Sequence, residues 1–143
     1  MTRQAISASS HLLDEAAVIA AWEDGLHAPV WTQPPCWLQG DLAPDNLLVN
    51  NGSLCAVIDW GGLATGDPAT ELLPAWNLFK PGSRETFHEA LQLPEKDSLW
   101  RRGRALALSI ALVELPYYAD KIPARVDKAL GTIESILMDH QGS

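Results

Sequence analysis

Residues 50–53, Asn-Asn-Gly-Ser, separate two apolar runs, LLV at 47–49 and LCAVI at 54–58. Asn and Gly tolerate the positive φ angles of a tight turn, so this segment predicts an antiparallel hairpin. The pairing has a chemical consequence. Asn46 starts the first strand and Asp59 follows the second, so a hairpin sets these two polar side chains side by side. Asp41 stands five residues before Asn46, in the stretch GDLAPDN.

Around the hairpin the chain reads mostly as helix. Residues 1–10 are polar and are expected to be flexible. Asp14 is placed to cap a helix ending near Gly25, with Ala17, Ile19, Ala20 and Trp22 as its apolar content. The Pro-rich stretch 28–35 predicts an extended loop, and 36–38 a short strand. After Asp59 comes GGLATG, read as a glycine-rich loop. Asp67-Pro68 opens a helix over 68–79, which Pro74 should kink or split. Three further helices are expected: one capped by Ser83, one over 96–119 with a bend at Pro116, and one from Pro123 to Asp139. The fold class is therefore α+β, mostly helical, and the length suits one domain over 1–143.

Composition excludes several functions. The formal net charge is −8, which argues against a nucleic-acid partner, because phosphate contacts need clustered Lys and Arg. The longest apolar run, ALALSIALV at 105–113, is too short to cross a bilayer, and MTRQAIS has no signal-peptide core. A cytoplasmic protein is expected. Cys36 and Cys55 lack CxxC spacing and read as reduced core thiols. His11, His27, His88 and His140 lack metal-ligand spacing and read as surface residues. Gly61, Gly62 and Gly66 fit no phosphate-binding glycine motif.

The polar trio has a definite chemical use. Phosphoryl transfer needs a carboxylate to take the hydroxyl proton and a few hard oxygens for magnesium. Asp41, Asn46 and Asp59 supply those groups in the order and spacing of a kinase catalytic loop followed by a strand-end Asp.

Here the chain resembles the aminoglycoside phosphotransferase family, a branch of the kinase-like fold. The family pattern is HGDLxxxN, then an apolar strand ending in IDW or IDF, then GDPAxDL. This chain has QGDLAPDN, VIDW and GDPATEL in the same order. The likeness is strong over 36–79 and covers the family's C-terminal lobe only. It implies that Asp41 is the catalytic base and that Asn46 and Asp59 bind Mg2+ bridging the phosphates of ATP. Gln39 replaces the family's usual His and is expected to give part of the same support to the catalytic loop. Asp67 matches the GDP aspartate and is read as a helix cap bracing the site. Glu71 stands where the family usually has Asp. By analogy with the family, Glu114, Tyr117, Tyr118 and Asp120 are candidates for lining an acceptor pocket; the alternative is a solvated helix end. The acceptor implied is a small-molecule hydroxyl.

A kinase also grips the α- and β-phosphates with a strand lysine beneath a glycine-rich cover. Residues 1–40 hold no lysine and a single arginine, Arg3. The expectation is a chain that lacks the nucleotide-clamping N-terminal lobe, binds ATP weakly or not at all, and is inactive alone. Two alternatives stand beside it: one half of a split kinase completed by a separate N-lobe chain, or a repurposed binding or dimerisation module. A homodimer is expected, with 22–37 as a contact segment.

Overall fold

The structure is a computed structural model that describes residues 1–92 and 96–142. The architecture is mostly helical α+β with two small antiparallel sheets. Helices α1 (Thr2–Ala8) and α2 (Glu15–Leu26) lead into strand β1 (Cys36–Leu38). A 3₁₀ turn (Pro44–Asn46) runs directly into β2 (Leu47–Asn50), which pairs with β3 (Ser53–Val57). A second 3₁₀ turn (Trp60–Gly62) precedes β4 (Ala64–Gly66), and a third spans Pro68–Leu72. Helices α3 (Pro74–Asn77), α4 (Pro81–Ala90), α5 (Lys96–Tyr118) and α6 (Pro123–Gln141) complete the chain.

Helix α5 is the axis of the fold. It packs against α1, α2, α6 and the Pro68–Leu72 turn, and its Leu99, Leu108, Leu112 and Leu115 are buried. Close approach is needed where α2 crosses it. A Cβ added at Gly25 would lie 2.3 Å from Ala105 Cβ and 2.6 Å from the Arg101 carbonyl oxygen. From α6, Ile133 and Ile136 close the other side of the core.

Three arginines of α5 tie distant segments to this axis. Arg101 and Arg104 both pair with Asp24 of α2, each at 2.8 Å, and Arg104 also reaches Asp139 of α6 at 3.1 Å. Arg102 pairs with Asp67 at 2.7 Å and donates to the Pro29 carbonyl. The Asp139 carboxylate also accepts from the indoles of Trp76 and Trp100 at 3.2 and 3.1 Å. Burial of Arg104, 2% exposed, is thus matched by two carboxylates.

Several local expectations hold. Asp14 caps α2, accepting from the Ala17 N–H at 3.1 Å. The hairpin turns through Asn51 and Gly52, both at positive φ (50° and 77°). Pro74 splits the 68–79 segment into a 3₁₀ turn and α3.

Others are corrected. Residues 1–10 are not a loose tail: Thr2–Ala8 is helical and buries Ala5 and Ile6, the latter 2% exposed. Contact with α5 orders a segment whose own apolar content is slight. The GGLATG stretch contains a strand, because Ala64, Thr65 and Gly66 pair with Leu38, Trp37 and Cys36. Helix α4 starts at Pro81 in its first turn, so Ser83 lies inside it and caps nothing. Cys55 is exposed, not a core thiol, and its Sγ lies 3.3 Å from the Leu48 carbonyl; Cys36 is half-buried. His88 and His140 are half-buried, and the His88 ring packs at a tilt against Trp100, with centroids 4.5 Å apart. No helix among the described residues is long and apolar enough to cross a membrane.

Candidate active site

The site grows out of the hairpin. The Ile58 N–H donates to the Asn46 carbonyl at 3.0 Å, just beyond the Leu47–Val57 pair. Asp59 is the next residue and leaves the strand in the left-handed region (φ 56°, ψ 69°). A non-glycine residue held there carries backbone strain, which functional sites commonly store.

Asp41 and Asn46 are directly joined. The Asn46 Nδ2 donates to the Asp41 carbonyl at 2.8 Å and to its carboxylate at 3.1 Å. Asn46 is buried, whereas Asp41 and Asp59 are exposed. The carboxylate is therefore oriented by a buried amide and remains open to a ligand.

Gln39 links the two halves. It is 4% exposed, and its Nε2 donates to the carbonyls of Ile58 and Asp59 at 3.0 and 2.7 Å. Its Oε1 accepts from the Asp41 N–H at 2.8 Å. One side chain thus spans the loop of Asp41 and the strand end of Asp59. The bend between Gln39 and Asp41 needs glycine. Gly40 has φ +88°, and a Cβ there would lie 2.4 Å from the Gly62 carbonyl oxygen.

Glu71 has a role that its position in the motif did not reveal. Its two carboxylate oxygens accept from the Gln39 and Gly40 N–H groups at 3.1 and 3.0 Å. It fixes the loop backbone from below, where a carboxylate aimed at two N–H groups is well matched. Asp67 sits apart from the trio. It caps the Pro68–Leu72 turn through the Ala69 N–H at 2.9 Å and receives Arg102.

Asp41, Asn46 and Glu114 line one cavity of about 300 Å³ between the loop, α5 and α6. Tyr117, Tyr118 and Asp120 are not among its lining residues. Tyr117 and Tyr118 instead make an edge contact with each other at 4.7 Å. A larger cavity of about 650 Å³, lined by Arg84, His88, Trp100, Arg104 and Asp139, lies away from the trio.

The oxygen donors fit magnesium in kind. The Asn46 Nδ2 is committed to Asp41, so Oδ1 is the amide atom that would serve a metal. Asn46 Oδ1 and the Asp59 carboxylate are hard oxygens of the sort magnesium takes together with phosphates and water. No cluster of three or more His, Cys, Asp or Glu forms a metal site among the described residues.

The family described as the phosphotransferase enzyme family matches residues 2–106, a span that contains the whole loop, hairpin and cap. The chain belongs to the phosphotransferase enzyme family. This phosphotransferase relative also resembles solved structures. One is a thermostable mutant of aminoglycoside phosphotransferase APH(4)-Ia in its apo form, with TM-score 0.53 and 25% identity over 94% of this chain and 48% of that one. Another is a thermostable mutant of the same enzyme in a ternary complex with AMP-PNP and hygromycin B. It has TM-score 0.53 and 24% identity over 97% of this chain and 51% of that one. The chain spans about half the length of the solved structures it matches. Comparison with curated protein sequences gives no significant match.

Proposed function

We propose that this phosphotransferase-family chain carries the acceptor and metal side of an ATP-dependent phosphoryl transfer to a small-molecule hydroxyl. The observation that carries the reading is the Asp41–Asn46 contact at 3.1 Å, with the Ile58 N–H, one residue before Asp59, bonded to the Asn46 carbonyl.

Asp41 acts as the base. Its open carboxylate accepts the proton of the acceptor hydroxyl as the oxygen attacks the γ-phosphorus, and the bond from that phosphorus to the ADP oxygen breaks. The buried Asn46 amide keeps the Asp41 carboxylate aimed, while Gln39 and Glu71 hold the loop that bears it. Asn46 Oδ1 and the Asp59 carboxylate would hold magnesium. When bound, that ion neutralises charge on the nucleotide phosphates.

The grip on nucleotide is narrow. Arg3, the one cation before Asp41, pairs with Glu23 at 3.1 Å on α2. In this reading the phosphates meet the chain through magnesium at Asn46 and Asp59, and an affinity of about 1 mM or weaker is expected.

NMR titration of the isotope-labelled chain with AMP-PNP and magnesium tests the proposal. Shifts at Asn46 and Asp59 that need both magnesium and nucleotide, and vanish in Asp59→Ala, are expected. No response at either residue up to tens of millimolar ligand overturns it and leaves a non-catalytic binding module.

A further inference from the structure

The cavity beside Asp41 carries charges of both signs on facing walls. Asp45 lies in the loop, Glu114 on α5, and Arg125 and Lys128 on α6. They form two cross-wall pairs, Arg125–Glu114 and Lys128–Asp45, each at 3.8 Å. That separation exceeds a hydrogen bond, and all four side chains are at least partly exposed. Pairs of this kind add little to stability and open readily for a better partner.

A third feature of the cavity is unsatisfied. Asn77, at the end of α3, lines the same space, and its buried Oδ1 has no hydrogen-bond partner among the described residues. A buried acceptor left unmade is costly.

These observations discriminate between acceptors. A polyamine would find Asp41, Asp45 and Glu114 but would also lie against Arg125 and Lys128, where like charges repel. An acid would find the two cations but also three carboxylates, Asp41 among them. A molecule with one charge of each sign replaces two loose contacts by charge-assisted hydrogen bonds. The volume of about 300 Å³ is at the small end for ligand sites.

We infer that this cavity takes a small zwitterionic hydroxyl compound. Its carboxylate sits against Arg125 and Lys128, its ammonium against Glu114, and its hydroxyl faces Asp41. Arg125 and Glu114 are then the residues that set acceptor specificity. The orientation of the hydroxyl rests on the phosphotransferase reading given above.

Three probes isolate the two charges: L-serine, ethanolamine (serine without its carboxylate) and 3-hydroxypropionate (serine without its ammonium). Binding to the full chain is followed by NMR. L-Serine is expected to bind about 10-fold more tightly than either truncated probe. Arg125→Gln should erase its advantage over ethanolamine, and Glu114→Gln its advantage over 3-hydroxypropionate. Both positions are partly exposed, so both variants should fold, and their spectra report this directly. Equal binding of the three probes, or an unchanged preference in folded variants, overturns the assignment. The magnesium and AMP-PNP response at Asn46 and Asp59, recorded on the same samples, separates the two readings. If it persists without a serine preference, the acceptor assignment alone has failed. If a serine preference persists without it, the phosphoryl-transfer reading has failed and the zwitterion site stands.

Discussion

Gln39 donates its side-chain amide to the Asp59 carbonyl at 2.7 Å while accepting from the Asp41 N–H at 2.8 Å. The candidate base and a metal-ligand candidate are thus held in register by one buried side chain. The alternative to this bond is not a bond to water, because Gln39 is 4% exposed.

Replacing Gln39 by alanine leaves the Ile58 and Asp59 carbonyls and the Asp41 N–H without that partner. A loss of about 2 kcal/mol in unfolding free energy is expected, read by urea denaturation. Gln39→His retains one ring donor and one ring acceptor in the neutral form, so its loss should be smaller, about 1 kcal/mol. Equal stability of all three proteins would show that the bridge holds nothing.

Glu71 supplies a second test of the same loop. Glu71→Gln preserves size but sets an NH2 group where a carboxylate oxygen received a backbone N–H. The expected loss is about 2 kcal/mol. A distinguishing readout is amide hydrogen exchange at Gln39 and Gly40, which should quicken in the variant while exchange in α5 and α6 follows only the global change.

The sequence showed the parts of the site whose geometry is local. Asn51-Gly52 sets the hairpin turn, Asp14 and Asp67 cap by contacts two or three residues away, and the spacing of Asp41 and Asn46 survives as a direct hydrogen bond. What was not legible depends on long-range contact. Glu71 meets Gln39 and Gly40 across more than 30 residues, and Arg104 meets Asp24 across 80. No periodicity announces such a pairing. Strand β4 escaped because three residues, Ala-Thr-Gly, carry no alternation and are ordered by β1. The family resemblance offers Glu114, Tyr117, Tyr118 and Asp120 together as acceptor-pocket candidates, yet only Glu114 among them lines the cavity of Asp41.

Helix α1 gives the sharpest contrast between pattern and packing. Ile6 is 2% exposed and belongs to the main core together with Val18 and Leu108. Ile6→Ala should therefore lower stability by about 3 kcal/mol. A frayed tail would give a change within about 0.5 kcal/mol, the ordinary range for surface substitutions. Thermal and urea unfolding of the single variant decide between them.

The pairing of Asp24 with Arg101 and Arg104 predicts a specific acid response. Burial works to raise the Asp24 pKa, but hydrogen bonds from Arg101 and Arg104 and their positive charges outweigh it. The net direction is below the ordinary value of 3.8. A carboxylate whose folded pKa lies below its unfolded one stabilises the fold above the unfolded value and loses that contribution as pH falls through the folded value. Asp24→Asn cannot titrate and gives up the charge-assisted bonds to two arginines, one of them the buried Arg104. The variant should be less stable than the parent by about 2 kcal/mol at pH 7. The gap in urea midpoints should begin to narrow as the pH falls below 3.8, where the unfolded chain takes up the proton, and should close only as it passes through the lower folded value, where native Asp24 is protonated too. A gap that stays constant over that range would assign the stability difference to the shape of the side chain and not to its charge.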